Sequence, residues 1–255
     1  MEHSSLKSSL LLLFFICFAG FWAGGCSSSQ RKITPDAASI FKQGMAALDD
    51  EDYPEAQRLF DVIRLQFPAT PYADDAQYYL GESHYRKGEY ILAAFNFGMI
   101  RRNYPNSDFV KMSVYKTAMC YYELSPPFDR DQDYTRKAIA GFSEFQAIFP
   151  TDSLADAAGA KITGLRGKLA HRDFNAAENY RKMTYNRAAI SYYEMVIDDY
   201  PDTEFCEPAY LGKMELLVLG KRFAEAHNFA ELYLKRYPAG RFRNDFANLE
   251  TQAAK

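Results

Sequence analysis

The sequence predicts an all-α protein, a superhelical solenoid of about five helical hairpins that follows a short apolar leader. Two observations predict it: aromatic-Pro pairs recur at intervals of 37 to 51 residues, and apolar residues precede each proline at fixed helical offsets. The pairs are Phe67-Pro68, Tyr104-Pro105, Phe149-Pro150, Tyr200-Pro201 and Tyr237-Pro238. A hydrophobic content of 48% with 16% aromatic residues excludes a disordered chain.

The residues before each proline describe the second helix of a hairpin. Twelve residues before the prolines stand five alanines: Ala56, Ala93, Ala138, Ala189 and Ala226. Eight residues before them stand Phe60, Phe97, Phe142, Tyr193 and, in the fifth unit, Ala230. Offsets of three or four residues lie on one helix face, where a small alanine lets a neighbouring helix approach closely. The proline then ends the helix, because it moves the residue before it out of the α region.

A first helix is predicted upstream of each such helix, most clearly at residues 35–48, 73–86, 110–124 and 205–219. The 51-residue interval predicts that the fourth hairpin opens with one long helix from Leu154 to about Met183. Polar residues that follow the prolines are expected to cap the next helix. They are Thr70, Ser107, Asp152 and Thr203.

This repeat resembles the tetratricopeptide repeat. In the second unit, Leu80-Gly81, Gly88, Ala93, Phe97 and Pro105 stand at the offsets of that family. The resemblance covers about residues 36–238 and implies a solenoid of tetratricopeptide-like hairpins. In such a solenoid the first helices of the hairpins line a concave surface.

The N-terminus predicts export and a lipid anchor. Lys7 precedes an apolar run over residues 10–22, which is too short to span a bilayer and is typical of a secretory signal. The Gly25-Cys26 pair resembles a bacterial lipobox, which implies a cleaved lipoprotein signal peptide (residues 1–25) and an anchored linker (residues 26–34). Cys26 would carry a diacylglycerol and an N-acyl chain; the alternative is an ordinary signal peptide with a stray cysteine. Ser27 after it predicts the outer membrane, with the protein on the periplasmic face.

Composition and motifs argue against catalysis, metal binding and nucleic-acid binding. A formal net charge of −3 gives no electrostatic reason to hold phosphate backbones. No nucleophile, phosphate loop or metal-ligand spacing is present, so we predict no enzyme and no cofactor beyond the lipid. Cys120 and Cys206 lie in apolar helical patterns, which favours small buried residues over a disulfide.

A peptide-binding groove is predicted on the concave side of the first three hairpins. Aromatic residues with a few charges suit a peptide site, although some of them could instead pack against the adjacent hairpin. Mapped by the offsets of the repeat family, the candidates are Phe41, Asp75, Tyr78, Glu82, Tyr85, Arg86, Tyr115 and Tyr122. Arg86 or Arg130 is a candidate to pair with the carboxylate at a peptide's C-terminus.

An insertion at residues 125–133 lengthens the third unit and adds Asp129, Arg130 and Asp131 to the candidates. Its prolines are expected to stiffen the loop and its Asp and Arg side chains to lock it by ion pairs. The Asp-Arg-Asp stretch, the lipidated cysteine and the five repeats together resemble the BamD-type lipoproteins of the outer-membrane assembly machine.

That resemblance implies a function for each half of the mature chain. Residues 35–150, the first three repeats, would receive unfolded outer-membrane β-barrel proteins. Residues 151–255, the last two repeats and the tail, would dock a BamA-type β-barrel core subunit alongside other assembly lipoproteins. The alternative is another cell-envelope scaffold lipoprotein, active in cell division or pilus assembly.

Overall fold

The structure is a computed structural model that describes residues 36–253. Within that range the chain forms eleven α-helices and no strand, and from Ala37 onward it forms one compact unit. The predicted all-α solenoid is therefore confirmed. The helices are α1 (Ala37–Asp49), α2 (Tyr53–Gln66), α3 (Ala73–Arg86), α4 (Tyr90–Asn103), α5 (Val110–Leu124), α6 (Asp133–Ile148), α7 (Leu154–Lys182), α8 (Asn186–Asp199), α9 (Cys206–Leu219), α10 (Phe223–Arg236) and α11 (Arg243–Ala253). The predicted leader, Cys26 and the linker lie outside the described residues.

The first ten helices form five consecutive hairpins, and each helix packs against the next along the chain. α11 packs on both helices of the last hairpin and covers its open face. Phe246 of α11 is fully buried, and its ring stacks on Tyr233 of α10 with 3.9 Å between centroids. The solenoid thus ends in a capping helix, as repeat arrays require.

The predicted inner face of the second helices is confirmed. All five alanines twelve residues before the prolines, and all five residues at the next offset, are completely buried. Glycines in the first helices make room for the rings: a Cβ on Gly44 would lie 2.8 Å from Phe60, and one on Gly81 would lie 2.9 Å from Phe97. Each ring therefore lies directly against the backbone of the partner helix.

Four of the five hairpin turns share one backbone feature, a residue with positive φ. These residues are Glu51 (φ 60°), Gly88 (81°), Thr184 (63°) and Lys221 (56°). The left-handed conformation reverses the chain within three or four residues. The third hairpin has no such residue, because the insertion between Leu124 and Asp133 makes its connection longer.

The junctions after the prolines correct one prediction. The hydroxyls of Thr70 and Thr203 donate back to the carbonyls of Phe67 (2.8 Å) and Tyr200 (2.9 Å), so they fix the turn and do not cap the next helix. Asp152 does accept the N–H of Leu154 at the start of α7 (2.9 Å). A threonine hydroxyl can donate to a nearby carbonyl, whereas an ionised carboxylate only accepts.

The long helix α7 belongs to two cores. Its first half, with Ala158 and Leu165, packs in the hydrophobic cluster of the third hairpin. Its second half, from Phe174 through Ala177, packs with the last two hairpins. Because one helix serves both clusters, the segment between Leu165 and Phe174 is the joint of the solenoid.

The close packing at the alanine positions predicts that enlarging them is costly. Ala138→Leu, at a fully buried site in α6, should lower the free energy of unfolding by about 1–3 kcal/mol, because the added carbons push two helices apart. Ala140→Leu is the matched control, since Ala140 is exposed two residues away in the same helix. Chemical denaturation of both variants checks this. Equal stability of the two variants would contradict the packing.

Candidate functional site

The predicted groove residues fall into several groups, and the first fills space between hairpins. Tyr78 is 8% exposed and stacks on Phe109, with 4.2 Å between ring centroids. The ring of Tyr115 lies against Phe142 (5.6 Å) and Phe145 (5.2 Å). Tyr78 and Tyr115 thus pack against neighbouring rings, which is the alternative that the sequence left open, and their role in peptide binding stays a prediction. Phe41 similarly packs in an aromatic cluster with Phe60, Tyr72 and Tyr79.

The second group consists of tyrosines covered by lysines of the following hairpin. The ammonium of Lys116 in α5 lies 4.4 Å from the ring centroid of Tyr85 in α3. Lys161 in α7 lies 4.0 Å from the ring centroid of Tyr122 in α5. Such cation–π contacts join consecutive first helices. The surface that a ligand meets here is therefore an ammonium group beside a tyrosine, and one face of each ring is occupied.

The third group is a charge cluster around Glu82, which is 9% exposed. Its carboxylate accepts from Nε of Arg86 (3.1 Å) and lies 3.0 Å from Nζ of Lys116. Arg86 is thus already paired with a carboxylate of its own helix, which argues against its predicted role toward a client carboxylate. Asp75, one helical turn before Tyr79, is partly buried, and that burial together with the nearby Asp74 raises its pKa.

The insertion is held differently from the prediction. Asp129, Arg130 and Asp131 are all exposed and form no ion pair within the part of the chain that the structure describes. The loop is fixed by the fully buried Gln132, whose amide donates to the carbonyls of Pro127 (2.7 Å) and Arg130 (2.9 Å). A buried amide bonded to the backbone holds a loop more firmly than exposed charges do, because water does not compete for its partners.

No sequence pattern predicted that this loop contacts the joint in α7. The ring of Phe128 stacks on one side of His171, with 3.7 Å between centroids, and Phe205 stacks on His171 at 4.8 Å. Lys168 of α7 donates from Nζ to Oγ of Ser125 (2.8 Å). The only available signal was an aromatic residue in an otherwise polar loop. His171 therefore contacts both the loop of the third hairpin and the residue that precedes α9.

Two cavities lie on α7 beside this contact. One of about 610 Å³ lies between the loop and the start of α9, and one of about 460 Å³ lies along the first half of α7. They share Gly164 and Lys168, so they form one depression, which we call the α7 trough. The larger cavity is lined by Pro127, Phe128, Thr163, Gly164, Gly167, Lys168, His171, Asp202, Thr203, Glu204 and Phe205. The smaller is lined by Tyr122, Ala157, Ala160, Lys161, Gly164, Leu165 and Lys168.

Small residues line the α7 trough, together with charged residues of both signs: Lys161 and Lys168 on α7, Glu204, and Asp202, which pairs with Arg166. A Cβ placed on Gly164 or Gly167 would meet no atom within 4 Å, so the backbone itself forms the floor. Lys161 and Lys168 have no carboxylate within ion-pair distance among residues 36–253. Burial lowers the pKa of Lys168, because its ammonium is partly desolvated without a compensating anion.

Three other kinds of feature bear on the chemistry of the described residues: metal-ligand clusters, cysteines and long apolar helices. No group of three or more His, Cys, Asp or Glu residues there could hold a metal ion. Cys120 and Cys206 are free and fully buried, as predicted, and burial raises the pKa of Cys120 to about 12. No helix in this range combines the length and apolar character that crossing a bilayer requires.

Comparison with known proteins matches residues 34–216 to the family model described as YfiO, outer membrane lipoprotein. The outer membrane protein assembly factor BamD of Rickettsia prowazekii is 25% identical over 240 residues, covering 93% of both chains. BamD of Caulobacter vibrioides is 24% identical over 196 residues, or 75% of this chain and 64% of that protein. Among solved structures, a TPR repeats protein from Bacteroides fragilis is 13% identical with a TM-score of 0.44, covering 87% of this chain and 99% of that one.

Proposed function

The chain belongs to the YfiO family of outer membrane lipoproteins, and from that premise we propose that it is a component of the outer-membrane β-barrel assembly machinery. It binds unfolded barrel proteins and docks on a BamA-type core subunit with other assembly lipoproteins. It acts at the periplasmic face of the outer membrane, held there by acyl chains on Cys26. The curated relatives that it resembles, one of them over 93% of this chain, are named as outer membrane protein assembly factors, which supports the proposal.

The observation that carries client binding is the α7 trough. An unfolded barrel segment offers alternating apolar or aromatic side chains and a backbone without partners. The glycine floor of the trough admits a backbone closely, and the wall around Phe128, His171 and Phe205 is aromatic and matches the apolar side chains. Lys161 and Lys168 supply positive charge for a carboxylate of the client.

The client site proposed in the α7 trough does not include most of the groove residues that were predicted from the sequence. Tyr78 and Tyr115 are occupied by packing, and Arg86 is paired. Tyr122 remains at one end of the trough, beneath Lys161. Arg130 and Asp129 are exposed on the loop that forms one wall of the larger cavity, so they remain candidates for contact with a client.

The test adds a side chain inside the α7 trough and leaves the buried cores unchanged. Gly164→Leu adds a side chain where a Cβ meets no atom, and it should weaken binding of peptides copied from β-barrel C-termini by about tenfold or more. Gly98→Leu is the matched control, because Gly98 is also mid-helix with nothing within 4 Å of its Cβ, but lies on α4 away from the trough. Both variants should be as stable as the parent or more so, since glycine disfavours helix interiors.

The affinity of the parent for such peptides should be micromolar, because ordering an extended chain costs entropy. Fluorescence titration with matched and scrambled peptides measures it. Lys161→Gln together with Lys168→Gln should weaken binding and reduce its salt dependence. If matched peptides bind no better than scrambled ones while the protein still joins an envelope complex, the protein is instead an envelope scaffold.

A further inference from the structure

The tips of the last two hairpins carry exposed apolar side chains where turns are ordinarily polar. Met183 and Tyr185 in the turn between α7 and α8 are 61% and 63% exposed. Leu219 and Phe223 around the turn between α9 and α10 are 68% and 40% exposed. Isolated exposed apolar residues are common on protein surfaces, but four of them on two adjacent turns form a patch that favours a partner.

The two tips have the same turn conformation and lie side by side. Each turn has one residue of positive φ and a matching backbone bond, from Tyr185 N–H to the carbonyl of Tyr180 and from Arg222 N–H to that of Leu217, both 2.9 Å. Nη1 of Arg181, at the end of α7, lies 2.7 Å from Oε2 of Glu215 in α9. This pair ties the ends of the two helices together, which places both turns at one edge of the solenoid.

The charge at these tips has one sign. Residues 182–187 and 219–223 contain four basic residues and no acidic one. Lys182, Arg187 and Lys221 have no carboxylate partner among the described residues, and only Arg222 pairs, with Glu225. The first hairpin shows the reverse, because its tip, residues 49–52, is entirely acidic. The polarity of the tip edge therefore changes from one end of the solenoid to the other.

A cavity of about 640 Å³ adjoins the patch, lined by Tyr180, Thr184, Tyr185, Asn186, Arg187 and Ala188. A protruding side chain of a protein can fill such a depression. Aromatic residues and arginine are also the residues that anchor protein interfaces. The concave shape and the unpaired cations thus favour a protein with an apolar projection ringed by carboxylates.

We propose that the tips of the fourth and fifth hairpins, residues 182–187 and 219–223, form the surface by which the C-terminal repeats dock an acidic, apolar patch on a partner protein. This inference rests on the proposed function, in which that partner is the core subunit of the machine. It assigns docking to the tip edge and leaves the α7 trough free for clients.

The experiment measures binding of the full mature protein to the purified periplasmic domains of the core subunit from the same bacterium. Tyr185→Ala with Phe223→Ala should weaken docking by about tenfold or more. Arg187→Glu with Lys221→Glu should weaken it comparably and remove its salt dependence. Phe95→Ala with Leu232→Ala is the matched control, because these residues are 61% and 59% exposed elsewhere, and it should dock normally.

Further measurements distinguish the possible outcomes. Helical circular dichroism and the melting temperature show that each variant is folded, and binding of β-barrel peptides should be unchanged in the tip variants. Normal docking by both tip variants would overturn the inference while leaving the proposed function intact. A parent protein that fails to bind the core subunit would overturn both docking statements. Loss of binding to vesicles of phosphatidylethanolamine and phosphatidylglycerol, with docking retained, would reassign the tips to the membrane.

Discussion

Phe97→Ala should lower the free energy of unfolding by about 3–5 kcal/mol, one of the largest effects expected from a single change in this protein. The ring of Phe97 is completely buried between Gly81 of α3 and the ring of Tyr78, whose centroid is 5.5 Å away. Glycine has no side chain that could move into the space, so the cavity left by the ring stays largely open. Chemical denaturation of the two proteins gives the difference directly.

Phe95 provides the matched control for this change. It lies two residues earlier in the same helix and is 61% exposed, so Phe95→Ala should change stability by only about 0.5 kcal/mol or less. A similar loss in both variants would show that α4 does not present the face described here. A small loss in Phe97→Ala alone would show that α3 and α4 close over the vacant space.

The hairpins were predictable because their signal is local and repeated. The positions of Ala93 and Phe97 before Pro105 follow from helix periodicity, and α7 ends one residue before its expected limit of Met183. α3 and α5 have the predicted bounds. Each unit buries the same face against its neighbour, so the pattern of buried positions found in one hairpin applies to all five.

The groove was less predictable, because exposure on a first helix depends on the neighbouring hairpin. Periodicity placed Tyr78 and Tyr85 on the same side of α3, yet Phe109 covers the first and Lys116 covers the second. Both covering residues come from farther along the chain, and their reach depends on how the hairpins stack. A repeat pattern gives the face of a helix but not what the next repeat places over it.

The joint in α7 was not predictable, because it depends on contacts between residues that lie far apart in the sequence. His171 is stacked between Phe128, which is 43 residues earlier, and Phe205, which is 34 residues later. The loop of the third hairpin and the start of α9 thus meet at one residue of α7. The sequence signalled the long helix, but not the cavity that its offset opens beside Gly164.

Cys26→Ser should change location more than any other substitution, from the membrane fraction to a soluble periplasmic form. The expectation follows from the lipobox-like Gly25-Cys26 and from membership of an outer membrane lipoprotein family. A single acyl chain binds a bilayer only marginally, whereas a diacylglycerol with an N-acyl chain anchors stably. Without the thiol no thioether to lipid forms.

Docking on a membrane-embedded partner would also keep the protein in the membrane fraction, so the measurement needs a step that separates the two attachments. Alkaline carbonate extraction strips proteins held only by other proteins and leaves lipidated ones behind. The parent and the control Ser28→Ala should resist extraction, and Cys26→Ser should be released. Retention of Cys26→Ser after extraction would show that the chain is anchored by something other than lipid on this cysteine, and mass spectrometry of the mature N-terminus would then identify it.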